Sequence, residues 1–63
     1  MSYQWLSAQA PELVMAIDKE LDSGRNPYQI RLVTQRHVGP DRDGLALRCE
    51  QAARHMQALR SKN

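Results

Sequence analysis

The C-terminal third of the chain carries an apolar seam with the spacing of a packed helix. Successive members lie four, three, four and three residues apart, and they are Leu45, Cys49, Ala52, Met56 and Leu59. This spacing is typical of helices that pack on a neighbour at a shallow angle. The seam therefore predicts an amphipathic helix over about residues 40–60, and its small central residues predict a close approach by another helix.

The chain of 63 residues contains few of the supports that small domains use. Cys49 is the only cysteine, which excludes an intrachain disulfide, and His37 and His55 are the only histidines. A closed structural zinc site made of cysteine and histidine ligands is therefore out of reach within one chain. Because a single domain of this size, residues 1–63, is marginally stable by itself, we expect a homodimer or docking on a partner protein.

A first helix is predicted over about residues 8–22. The helix is predicted to start near Ser7 or Ala10: Ser7 is a candidate N-cap, and Pro11 is suited to the first turn. Gly24 is suited to the left-handed position that follows a helix. Apolar residues recur at helical spacing through this segment, at Ala10, Leu13, Val14, Ile17 and Leu21. Residues 1–7 are predicted to form a short lead-in, whose Trp5 either joins the core or serves as an exposed interface anchor.

The middle segment carries two conflicting patterns. Asn26 before Pro27, with Gln29 three residues after the cap, is a helix start and predicts a short helix over about residues 27–37. Residues 28–38 also alternate in part between polar and apolar and contain several β-branched residues, which is typical of a strand. Such a strand has no partner within the chain, so it would have to pair across a dimer axis. The capping signal needs no partner, and it therefore favours the helix.

The fold class predicted from these segments is mainly α, as a helical hairpin or a three-helix unit. The alternative is an α-β-α arrangement in which residues 28–38 form the strand.

Opposite charges are concentrated in different parts of the chain. Residues 1–24 are net acidic, whereas residues 25–63 are net basic and carry all seven arginines. Asp18 and Asp22 lie four residues apart in the C-terminal half of the predicted first helix, where acids are unfavourable. We therefore expect an arginine from elsewhere in the fold to contact them.

No pattern in the sequence indicates catalysis, a metal site or a cofactor. Cys49 and His55 are six residues apart, which points them in different directions on a helix, so they do not form a nucleophile–base pair. The chain also lacks a glycine-rich phosphate loop, and its thin core leaves little room for a substrate pocket. We expect a protein that is not an enzyme.

Protein–protein binding through helix faces is the function that the sequence favours, in a small regulatory or adaptor protein. An inhibitor of a larger partner is one form of this function. The predicted protein interface consists of Trp5, Leu45, Cys49, Ala52, Met56 and Leu59. The lone cysteine suits a reducing compartment, and no apolar run is long enough to span a membrane. We therefore expect a cytoplasmic protein without a membrane partner.

The alternative function is that of a dimeric DNA-binding transcriptional regulator that uses the arginine-rich middle segment. Arginine and glutamine are suited to reading guanine and adenine in the major groove. The candidate nucleic-acid contacts are Arg25, Gln29, Arg31, Gln35 and Arg36.

Overall fold

A computed structural model describes residues 2–39 and 43–61 and shows four helices in this part of the chain. They are α1 (Ser2–Gln9), α2 (Pro11–Asp22), α3 (Pro27–Val38) and α4 (Asp43–Ser61). The described residues contain no strand, so the mainly α prediction is confirmed and the strand alternative for residues 28–38 is wrong. The helices surround one small core in a molecule that measures 36 × 24 × 16 Å.

The N-terminal segment differs from its prediction. Residues 2–9 form a helix instead of a lead-in, and α2 begins at Pro11 instead of near residue 8. Ala10, with φ −148° and ψ 68°, is the N-cap residue of α2. Of the two predicted starts, the one near Ala10 is therefore confirmed and the one with Ser7 as the cap is wrong. Proline explains the break, because it lacks an N–H group and disfavours the helical conformation in the residue before it.

The start of α3 follows the capping pattern in the sequence. Asn26 Oδ1 accepts a hydrogen bond from the Gln29 N–H at 2.9 Å, and Gln29 Oε1 accepts one from the Asn26 N–H at 3.0 Å. These reciprocal bonds satisfy two backbone donors that a helix start leaves without an intrahelical acceptor. The predicted middle helix is therefore confirmed.

Glycines with positive φ follow both α2 and α3. Gly24 has φ +97° and donates its N–H to the Leu21 carbonyl at 3.1 Å, as predicted for the residue after the first helix. Gly39 has φ +87° and donates its N–H to the Gln35 carbonyl at 2.9 Å. Only glycine adopts this region without a steric cost, so both helix ends are encoded locally.

Helix α4 contacts each of the other three helices and contributes most of the buried residues. Cys49, Ala52 and Ala53 are 0% exposed. The larger side chains that cover them come one from each of the other helices and are Leu6, Ile17 and Ile30. The close neighbours that the small residues of the seam predicted are therefore helices of the same chain.

The predicted C-terminal helix over about residues 40–60 corresponds to α4. Its bounds in the structure are Asp43–Ser61, and residues 40–42 lie outside the described part of the chain. Among the described helices, none combines the length and the apolar character that crossing a membrane requires.

Candidate protein-binding surface

Half of the predicted protein interface lies inside the chain's own core. Cys49 and Ala52 are 0% exposed, and Met56 is 9% exposed. Leu45 is half-buried and packs against the same cluster. Because α1, α2 and α3 already cover the central part of the seam, these side chains offer little surface to a second protein.

The other two predicted interface residues are exposed. Trp5 on α1 is 42% exposed and Leu59 on α4 is 47% exposed. The guanidinium carbon of Arg48 lies 4.4 Å from the centroid of the Trp5 ring, which is within the range of a cation–π contact. One face of the indole is thus covered by the chain itself, which leaves the rest of the ring for other contacts.

The buried thiol of Cys49 is suited to packing. Burial raises the pKa of Cys49 above its ordinary value, and a hydrogen bond with Thr34 opposes the shift only in part. A thiol whose pKa is raised stays protonated at neutral pH, and a protonated thiol is a poor nucleophile and metal ligand. In this environment Cys49 behaves as a small apolar side chain.

The acids at the end of α2 contact an arginine from the end of α4. Arg60 donates hydrogen bonds to the carboxylates of Asp18 and Asp22, with 2.6 Å between Arg60 Nη1 and Asp22 Oδ1. These contacts raise the pKa of Arg60, chiefly through the hydrogen bond to Asp18. The prediction that a distant arginine meets the two acids is confirmed.

A second ion-pair cluster joins α3 to α4 around Glu50. Arg54 donates to Glu50 Oε2 from Nη2 at 2.7 Å, and Arg31 donates to Oε1 from α3 at 3.3 Å. Glu50 is only 8% exposed. The hydrogen bond from Arg54 is the largest cause that lowers the pKa of Glu50, while burial acts in the opposite direction. Sequence spacing shows the pair on α4, but the contribution of Arg31 depends on the tertiary fold.

The candidate nucleic-acid contacts do not form a set of available side chains. Arg25 pairs with Glu20, Arg31 contacts Glu50, and Gln29 is used by the capping box of α3. Gln35 is half-buried. Among the three arginines of this set, only Arg36 is both exposed and without an ion pair to another described residue.

Two grooves lie on either side of α2. The first groove has a volume of about 350 Å³ and is bounded by α1, α2 and α4. Its lining residues are Tyr3, Val14, Met15, Asp18, Lys19 and Met56. The second groove has a volume of about 160 Å³, runs between α2 and α3 and has Cys49 among its lining residues. The rest of its lining consists of Leu13, Ala16, Ile17, Glu20, Val33, Thr34, His37 and Val38. Both linings are mostly apolar.

The outer face of α2 lies between these grooves and carries a stripe that sequence reasoning missed. Its members Glu12, Met15, Ala16 and Lys19 are exposed, and Met15 has 66% of its surface accessible. We call this set the α2 stripe. On the opposite side of α2, Leu13, Ile17 and Leu21 dominate the apolar periodicity of the helix. Met15 lies outside that pattern, so the sequence alone did not assign it to a surface.

In the described residues, no group of three or more histidine, cysteine, aspartate or glutamate side chains is arranged to hold a metal ion. Comparison with known proteins found no match to this chain among family models, curated proteins or solved structures.

Proposed function

We propose that this chain is a small regulatory or adaptor protein that binds proteins through its helix faces and works as a homodimer. The observation that carries this proposal is the contrast between the chain's basic and apolar side chains. In the described part of the chain the arginines are largely occupied, whereas large apolar groups remain exposed.

The arginines illustrate the first half of this contrast. Five of the six described arginines contact an acid or an aromatic ring of the same chain, and they are Arg25, Arg31, Arg48, Arg54 and Arg60. A nucleic-acid surface needs basic groups that can exchange counterions for phosphates. Because these guanidinium groups already have partners within the chain, a duplex would compete with those internal contacts.

The exposed apolar side chains provide the second half. Six large ones among residues 2–39 and 43–61 are at least 40% exposed, namely Trp5, Met15, Tyr28, Leu32, Leu47 and Leu59. Aromatic residues and methionine are enriched in the buried centres of protein interfaces. The exposed set therefore supports a protein as the partner.

Self-association is the specific form that we propose. A chain of this size gains stability by burying apolar surface against a second copy. The dimer could in turn present its remaining faces to a regulated partner, and inhibition of a larger protein is one form of such regulation. We place the protein in the cytoplasm, because its single thiol suits a reducing compartment.

The test combines sedimentation equilibrium with a DNA titration. We expect the purified chain to change from monomer to dimer within a range of about 1–500 µM, as weak to moderate association requires. We expect a fluorescent duplex at low salt to show no saturable binding at these protein concentrations. A monomer throughout the range would overturn the homodimer. Tight duplex binding that weakens steeply with salt would overturn the protein-binding function in favour of the DNA-binding alternative.

A further inference from the structure

The α2 stripe has the composition of one half of a symmetric helix pair. Its residues lie at positions i, i+3, i+4 and i+7, so they share one face of the helix. Met15 and Ala16 form an apolar centre, while Glu12 and Lys19 place opposite charges at the two ends. Met15 is large and projects from the helix, whereas the neighbouring Ala16 is small and leaves space into which a side chain of another molecule can pack.

The two charges of the stripe have no partner within the described residues. Neither Glu12 nor Lys19 forms an ion pair there, although most other acids and arginines do. They are seven residues apart, which is about 10.5 Å along the helix and too far for them to neutralise each other. Both charges are therefore available to a molecule that binds this face.

We propose that a second copy of this chain covers the α2 stripe, with its own α2 antiparallel to the first. A two-fold axis between Met15 and Ala16 places Glu12 of each copy opposite Lys19 of the other. The same axis places Met15 of each copy over Ala16 of the other. The contact is self-complementary, as an interface across a two-fold axis must be. This inference rests on the proposed homodimer and names its surface.

The area around the stripe suits an interface of ordinary size. A standard interface covers roughly 800 Å² on each partner, which is about a fifth of the 4402 Å² of accessible surface. One helix face is narrower than that, so the contact extends into the grooves on either side of α2. The flexible side chain of Met15 lines the first groove and Ala16 the second, so the stripe is continuous with both.

Charge reversal tests the pairing in a way that controls for folding. The variants Glu12→Lys and Lys19→Glu each place like charges opposite one another in their own homodimers. We expect each variant alone to dimerise about tenfold more weakly than the wild type, because two ion pairs become two repulsions. A 1:1 mixture of the two variants restores both ion pairs, so we expect a heterodimer of near wild-type affinity. Circular dichroism of each variant verifies that the helices are retained.

A second comparison tests the apolar centre. Met15→Ser should weaken dimerisation, whereas Ala58→Ser should not, because this control introduces the same polar residue at an exposed position of α4. If the wild type dimerises but the variants at residues 12, 15 and 19 dimerise equally well, the dimer uses another surface and this inference fails. If the single variants weaken and their mixture does not recover, the proposed pairing fails. A wild type that remains monomeric overturns the homodimer itself, which is a separate and distinguishable outcome.

Discussion

Arg60 Nη1 lies 2.6 Å from Asp22 Oδ1, and this ion pair joins the last turn of α4 to the last turn of α2 across 38 positions of sequence. The same guanidinium also contacts Asp18. One cation thereby compensates two acids that repel each other and that face the negative end of their own helix.

Replacing Arg60 by glutamine should lower the melting temperature at low salt. We expect a decrease of roughly 2–4 °C, because the contacts are exposed and lie in a small domain. The difference should shrink as salt is added, since screening weakens both the lost attraction and the remaining repulsion. Arg36→Gln is the matched control, because Arg36 is exposed and has no ion pair to another described residue. Equal effects of the two substitutions would contradict the role of Arg60.

The Glu50 cluster should make stability depend on acid pH. The pKa of Glu50 is lowered in the folded chain from the ordinary value of 4.5, so the unfolded chain binds a proton more readily there. The stabilisation by Glu50 is therefore complete above about pH 4.5 and is lost as the pH falls through the lower folded pKa.

The variant Glu50→Gln isolates this contribution. At pH 7 we expect it to lower the free energy of unfolding by about 1–2 kcal/mol, less than for a fully buried pair because Arg31 and Arg54 remain partly hydrated. Urea denaturation at several pH values should show this difference shrink below pH 4.5. A difference that stays constant down to pH 2–3 would show that Glu50 does not carry the pH dependence.

Leu6 should be the residue that attaches α1 to the rest of the fold. It is 0% exposed and is the only buried residue of α1. We expect Leu6→Ala to lower the free energy of unfolding by about 2–4 kcal/mol through lost burial and an unfilled cavity. Ser7→Ala, an exposed change on the same helix, should stay within about 0.5 kcal/mol of the wild type. Urea denaturation measures both, and a loss below about 1 kcal/mol for Leu6→Ala would mean that α1 contributes little to stability.

Asn26 should stabilise α3 through its cap. We expect Asn26→Ala to lower the free energy of unfolding by about 1 kcal/mol, because the Gln29 N–H loses its acceptor. Asn26→Gly should cost only a few tenths of a kcal/mol, since glycine is itself tolerated at this position. Thermal or urea denaturation measures the stability of both variants. A glycine variant that is less stable than the alanine variant would contradict the capping argument.

The sequence predicted best where the signal is local. The capping box at Asn26 and the glycine at position 24 act through bonds within a few residues, so they define helix ends in any tertiary context. The seam of α4 likewise predicted a helix from its spacing alone. The helix α1 was missed because its one buried residue, Leu6, gives no apolar periodicity.

The candidate site was harder to predict, because exposure is a property of the assembled helices. Cys49 and Met15 are both apolar residues on helices, yet the first is buried and the second is largely accessible. The arginines also look equivalent in the sequence, and only the fold distinguishes Arg31, which contacts Glu50, from Arg36.

By itself the sequence determined that the chain is mainly α, where two of its helices start or stop, and that α4 has an apolar face. Those properties follow from backbone capping and residue periodicity, which act over a few residues. Only the tertiary structure decided that α1, α2 and α3 cover that face within one chain. It also decided that the α2 stripe remains exposed to solvent, because the small core covers only one face of each helix.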